Sequence, residues 1–375
     1  MDAAPAVPVK QDTKILGLIG TGHFLSHFYF LTLPPLFPFL KQEFGISYVA
    51  LGLIMTVAYA ISGIAQIPVG FLVDKIGARP ILTTGLVMMA LGFGLIGLTS
   101  SYWVLMILVT IGGAGHSVFH PADYAILGSS IDQKRMGRAF SIHTFAGHLG
   151  SAVAPASIIF LAALWSWRAA LLIAGIAGLF ATFALATQWN SLHDDAVLKK
   201  KDERKTEFEA DEARPKAKEA LALLLSKPML LFFLFFAMTS MTSSGMHSFS
   251  VAALVELHGT PLAVASAALT GYLFASALGI LLGGAIADRT SRHDYVAAFA
   301  FIITGVLVIA VAAVPLDVVL LLAILIFAGL TQGVIRPARD MMVRAASPKG
   351  STGKVFGFVS AGIAAGGALS PILFG

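Results

Sequence analysis

Runs of apolar residues about as long as a bilayer is thick recur from one end of this chain to the other. No other feature limits its fold so tightly. Hydrocarbon offers no partner to backbone N–H and C=O groups, so a helical crossing needs about 20 mainly apolar residues with every backbone bond closed internally. Such stretches lie at 15–40, 48–73, 80–99, 103–128, 137–163, 168–189, 228–254, 262–287, 295–314, 317–343 and 354–375. Of the 375 residues 57% are hydrophobic and 12% charged, a balance that belongs to an all-α polytopic membrane protein. The opening residues MDAAPAVPVKQDTK do not form a charged-then-apolar leader with a cleavage site, so the first span is expected to be retained as a helix. The absence of cysteine excludes disulfides and thiolate metal sites.

Basic residues fix the expected orientation. With the N-terminus in the cytoplasm, all but four of the 25 Lys and Arg fall on inner segments. The exceptions are Lys41 and Arg168 outside, and Arg336 and Arg339 within a span. That asymmetry predicts a cytoplasmic N-terminus. The net charge of +5 then reflects topology and gives no sign of nucleic-acid binding.

One long polar stretch, 190–227, carries the mixed run KKKDERKTEFEADEARPKAKEA and reads as a solvated linker. On either side of it the chain repeats itself. Residues 113–155 align without gaps on 329–371, and Gly113/Gly329, Pro121/Pro337, Gly137/Gly353, Phe140/Phe356, Gly150/Gly366 and Pro155/Pro371 are identical at an offset of 216. Gly70-Phe-Leu-Val-Asp74 and Gly284-Ala-Ile-Ala-Asp288 match at an offset of 214. Paired prolines and ordered motifs argue for duplication over chance.

Two parallel six-helix halves joined by a cytoplasmic linker, with GFLVDKIGARPIL at 70–82 between spans 2 and 3, resemble the major facilitator superfamily. The resemblance covers the whole chain. It implies an N-terminal half at 1–189, a linker at 190–227 and a C-terminal half at 228–375. The half-repeat also predicts a twelfth span equivalent to 168–189, whereas the chain stops inside the eleventh, so truncation is the expectation. Within the 70–82 motif, Gly70 and Gly77 permit close helix approach and a tight turn. Asp74 can accept bonds from the first amides of a neighbouring helix and pair with a base, for which Arg79 and Arg138 are candidates. The degenerate copy holds Asp288 and Arg289. The resemblance implies that this motif latches the inner side in one conformation. The alternative is an ordinary loop with positive-inside anchors.

Ionisable groups inside spans are costly and point to function. His23 and His27 lie in span 1, His116, His120 and Asp123 in span 4, His143 and His148 in span 5, His247 in span 7, and Arg336, Arg339 and Asp340 in span 10. In the resembled fold spans 1, 4, 7 and 10 line a central cavity, and spans 2, 5, 8 and 11 the interface between halves. His23/His27 and His116/His120 are i,i+4 pairs, with Asp123 on the same side as His120. Counting about 1.5 Å per residue puts His27, His116 and His148 near mid-membrane. Pro121 and Pro337 predict matching bends in spans 4 and 10. At that level the first copy offers His120 and Asp123, the second Arg336 and Arg339, so the charge is reversed.

Two uses of that reversal stay open: the arginines bind an anionic cargo bidentately, or Asp123 pairs with one of them to close an inner gate. Asp340 is placed to neutralise Arg339 locally. Histidines and buried carboxylates can carry a coupling proton, and His27, His120 and Asp123 are the first choices. Each histidine taken alone is more often a packing hydrogen-bonder. Cargo contacts are expected from His27, His116, His120, His148, His247, Arg336 and Arg339. Imidazoles with an aspartate could also ligate a transition metal, so transition-metal ion transport is the third alternative, ranked below the others because facing arginines would repel a cation and no His-Glu-x-x-His spacing occurs. No resident metal or cofactor is expected, the proton gradient serving as energy source.

Within the superfamily, GAGHSVFHPADYA followed by GRAFSIHTFAGHLGSAVAP is similar to the fosmidomycin-resistance branch. That resemblance implies a monomeric bacterial inner-membrane protein exchanging protons for a small, often anionic, compound. Organic-acid uptake by symport uses the same parts. The sequence holds no nucleophile motif, Walker loop or paired carboxylates, so an enzyme is not expected. A receptor or assembly scaffold made from a transporter fold is the alternative outside transport.

Overall fold

The computed structural model describes residues 9–192 and 217–374. The charge-dense part of the expected linker, 193–216, lies outside the described residues. Fourteen α-helices, joined by short turns and 3₁₀ segments, make up the described chain, with no strand among the described residues. They are α1 (Val9–Phe30), α2 (Phe37–Phe44), α3 (Tyr48–Ile76), α4 (Ala78–Gly94), α5 (Tyr102–His116), α6 (Phe119–Ser130), α7 (Met136–Leu164) and α8 (Trp167–Thr187). After the linker come α9 (Ala217–Leu224), α10 (Lys227–His258), α11 (Leu262–Ala287), α12 (His293–Ala313), α13 (Val318–Ala346) and α14 (Thr352–Phe374).

Nine spans among the described residues are long and apolar enough to cross a membrane. They correspond to the sequence-predicted spans 2 to 10. Their outward surfaces are apolar, with Trp103, Phe180, Phe183 and Val319 at least 70% exposed. Such helices, hydrophobic on every side, suit lipid as the outer solvent. The first expected span, 15–40, is instead broken: α1 ends at Phe30, a 3₁₀ turn covers Pro34–Leu36, and α2 follows. Pro34 and Pro35 supply no N–H to continue the helical ladder, which is reason enough for the break.

The described residues form two compact units, one drawn from Met1–Ser130, Ala146–Leu234 and Ser347–Ala364, the other from Ile131–Phe145, Phe235–Ala346 and Ala365–Gly375. Each packs by the same glycine device. In the first unit a Cβ on Gly113 would lie 2.7 Å from the carbonyl oxygen of Ala58, joining α5 to α3. In the second a Cβ on Gly329 would strike the carbonyl of Tyr272, joining α13 to α11. Ala58 and Tyr272 differ by the 214-residue offset of their motif, so the repeat seen in sequence is a repeat in packing. Around Tyr272 the second unit's core gathers Leu254, Ala265, Ala268, Val311, Leu321, Leu325 and Ala328.

Candidate functional site

Span 4 is not one helix. α5 ends at His116 and α6 begins at Phe119. Pro121 has no N–H for the carbonyl of Ser117, so the ladder fails there. Ser117 N–H turns back to the carbonyls of Gly113 and Ala114, at 3.3 and 3.2 Å. The break packs against Gly85 of α4, where a Cβ would lie 2.7 Å from the carbonyl oxygen of Gly115. In span 10 the helix α13 runs without interruption through Pro337. The bends expected to match are thus a break in one copy and a continuous helix in the other.

The break leaves both histidines of span 4 facing α1. The His27 and His116 rings lie 5.9 Å apart, His23 and His120 5.5 Å, and His23 and His27 4.7 Å, all edge-on. The four imidazoles form a ladder in the order His120, His23, His27, His116. Antiparallel chain directions explain the order, since α1 rises as α5 and α6 descend. Asp123 stands beside the inner rung His23: its Oδ2 lies 3.3 Å from His23 Nδ1, with both side chains buried. At one end Ser62 Oγ of α3 is 2.7 Å from His116 Nδ1. Ser151 Oγ of α7 stands 3.4 Å from His27 Nδ1. The ladder needs room, and Gly147 gives it: a Cβ there would lie 2.6 Å from His23 Cδ2 and 2.8 Å from His27 Cδ2. Beyond His120, Tyr124 stacks on Phe356 of α14 with centroids 4.0 Å apart and planes 7° off parallel. His148 is half-buried and His143 buried on α7.

The second unit holds the arginines. Arg339 is buried on α13, its Nε and Nη2 each 2.9 Å from Asp340 Oδ1 and its guanidinium 3.7 Å over the Phe236 ring. Asp340 neutralises it locally, as its sequence position led us to expect. Arg336 acts electrostatically on His247 of α10, which is exposed, and on Tyr272 of α11. Asp123 and Arg339 therefore each have a close partner within their own unit, His23 and Asp340 respectively.

The loop motif occurs twice with one geometry. Asp74 accepts the backbone N–H of Gly353 at 2.9 Å and of Lys354 at 3.1 Å, and Lys354 Nζ lies 3.3 Å from its Oδ2. Asp288 accepts the N–H of Gly137 at 2.7 Å and of Arg138 at 3.2 Å, and pairs with the Arg138 guanidinium. In each copy a carboxylate sits on the first amides of a helix, where the helix dipole and free N–H groups favour negative charge. This corrects the partner expected for Asp74. Arg138 is committed to Asp288, and Lys354, which the sequence reading did not single out, takes the place beside Asp74. Arg79 is buried in the first turn of α4 and Arg289 is exposed. Gly77 holds the turn from α3 to α4 at φ 99°, a conformation that side chains disfavour.

Ser62, Ser151 and Lys354 are the members of these arrangements that sequence reasoning missed. For Lys354 a signal existed, because it stands 216 residues after Arg138, as Gly353 does after Gly137. The hydroxyls carried no comparable signal.

The model of the Major Facilitator Superfamily matches residues 19–252 and 235–375. The chain is 26% identical over 293 residues to the fosmidomycin resistance protein of Escherichia coli K12, covering 77% of this chain and 69% of that one. It is 28% identical over 155 residues to a probable L-galactonate transporter of the same strain, covering 41% of this chain and 33% of that one. Among solved structures, the transporter FucP in its outward conformation superposes with a TM-score of 0.74 at 17% identity, covering 96% of this chain and 91% of that one. A further structure of it is described as an E. coli fucose:proton symporter.

Proposed function

Because the chain belongs to the Major Facilitator Superfamily, we propose that it is a secondary active transporter that moves a small anionic organic solute across the bacterial inner membrane by proton-coupled alternating access. The observation that carries this reading is the ladder of four imidazoles with the buried Asp123 carboxylate against its inner rung His23. A buried His–Asp pair is expensive to keep without a use, since each charge must leave water. Imidazole changes charge near neutral pH, and a neighbouring carboxylate can share the proton. His27, His120 and Asp123 hold the coupling proton in this mechanism. Arg336 with His247, and the Asp340-neutralised Arg339, receive the solute's acidic group, guanidinium being suited to bidentate contact with carboxylate or phosphonate. The Asp74 and Asp288 caps serve as the inner latches. The N-terminus lies in the cytoplasm, the working unit is a monomer, and no resident cofactor is required.

Two couplings are compatible with this reading: proton antiport, which export of a compound such as that named by the fosmidomycin resistance relative would use, and proton symport, as in the fold neighbour described as a fucose:proton symporter. Purified protein in proteoliposomes loaded with a pH-sensitive dye separates the two. Fosmidomycin and L-galactonate are the probes. Proton flow opposite to the solute supports antiport, and flow alongside it supports symport. Absence of solute-dependent proton flow with both probes would overturn the proton-coupled reading and favour a scaffold.

A further inference from the structure

Span 2 carries a stripe that the mechanism above uses only at its Asp74 end. Gly63, Gln66, Gly70 and Asp74 recur along α3 at spacings of three and four, so they share one face. They meet α14 in reverse order. A Cβ on Gly63 would lie 2.6 Å from the Ala364 Cβ, one on Gly357 2.6 Å from the Gln66 carbonyl oxygen, and one on Gly70 2.6 Å from the Gly353 carbonyl oxygen. The two helices are therefore antiparallel and in close contact. Ser360 lies on the same face of α14, between Gly357 and Ala364, which sets it level with the turn from Gly63 to Gln66.

Both polar side chains on this seam are buried, Gln66 at 4% exposure and Ser360 at 1%. Neither Gln66 Oε1 nor Ser360 Oγ has a hydrogen-bond partner among the described residues. A buried polar atom without a partner costs about 1–3 kcal/mol. Two on one seam call for a small ligand that bonds to both. A glutamine carbonyl accepts, and a serine hydroxyl accepts or donates, so the ligand must bring its own donors. Water does so, and a polar site between packed helices is where ordered water is held.

One turn away from Gln66, Ser62 is bonded to His116 at the end of the ladder. In the other direction lie Gly70 and then Asp74. We propose that Gln66 and Ser360 hold a water that continues the histidine ladder through Ser62, making the α3–α14 seam the proton's route between His116 and the Asp74 edge. A proton leaving His116 Nδ1 passes to Ser62 Oγ, which releases its own proton to the water. No electrons are transferred. The close approach at Gly70 separates the water from Asp74, so passage requires that contact to loosen. The inference rests on the proton-coupled reading.

Cysteine chemistry tests the site without background, because the chain has none of its own. In the full chain, Ser360→Cys should react with a small water-soluble methanethiosulfonate at least tenfold faster than Ala170→Cys, a fully buried position on α8. Equal, slow reaction at both would mean a dry seam and would overturn the site. Gln66→Met, which keeps the volume, should slow solvent exchange of the His116 ring N–H at least tenfold in nitrogen-15 spectra of nanodisc samples, with the ring's nitrogen shifts unmoved. Unchanged exchange would overturn the route. Either failure leaves Asp123→Asn free to abolish gradient-driven transport, so loss of this inference is distinguishable from loss of proton coupling.

Discussion

The span 4 copy and the span 10 copy began as one sequence and have kept different things. Both retain the proline, the glycine that lets the helix meet its neighbour, and a downstream helix whose first amides receive a carboxylate. They differ in chemistry. The first copy has a broken helix whose two histidines join two from α1 beside one buried aspartate, whereas the second has an unbroken helix and two arginines beside one. Packing and capping depend on backbone, which duplication copies intact. Side-chain charge is free to diverge once the backbone is secure, so the residues that break the repeat are where the transport chemistry is assigned.

The sharpest way to break that assignment is to remove the carboxylate beside the ladder. Asp123→Asn keeps the shape and should lower pH-gradient-driven accumulation of the probe in proteoliposomes at least ~10-fold, as expected for an ionisable group buried within a span. Asp340→Asn, in the other copy, should leave the gradient dependence in place. If the two variants lose gradient-driven accumulation alike, the division of labour between the copies is wrong.

Arg336→Ala probes the opposite copy. It should weaken binding of an anionic probe roughly 10-fold, the order expected for losing one charge-assisted contact, while a neutral analogue is little affected. Ligand-induced thermal shifts measure both, since binding to the folded state raises its apparent stability. Equal loss for the two probes would make Arg336 a gate residue and not a cargo contact.

Where the copies agree, matched substitutions should cost the same. Gly113→Ala and Gly329→Ala each place a methyl group against a neighbouring helix carbonyl, which should destabilise by about 1–3 kcal/mol apiece, the usual range for overpacking. Unfolding midpoints of the purified variants check this. Markedly unequal costs would show that the repeat in packing is only apparent.

Much of this was legible in the sequence, because bilayer spans and half-repeats are periodic signals. The eleven apolar stretches, the duplicated Gly-x-x-x-Asp motif and the intramembrane histidines could all be read off directly. The i,i+4 spacing of His23/His27 and of His116/His120 placed each pair on a shared face, but not opposite the other pair. That depended on the break at Ser117, which keeps His116 and His120 on α1 although no single helix joins them. Asp74 could be read as a cap, whereas its partner Lys354 lies 280 residues away, beyond any local pattern and within reach only of the half-repeat that pairs it with Arg138. Ser62 and Gln66 were invisible, since a hydroxyl or amide in an apolar span has no charge to draw attention.

The smallest effect tests the two latches against each other. Lys354 is 6% exposed beside Asp74, whereas Arg138 is 59% exposed beside Asp288. Both carboxylates keep two backbone amides whichever base is removed. Lys354→Ala nevertheless leaves Asp74 a largely buried charge without its counter-ion, and should cost about 1–3 kcal/mol. Arg138→Ala removes a solvent-screened partner and should cost less than about 1 kcal/mol. Thermal unfolding at low and high salt separates them: the Arg138 effect should fade as salt rises, and the Lys354 effect should persist. If both effects fade together, the two latches are electrostatically equivalent, and burial at Lys354 adds nothing to the hold on Asp74.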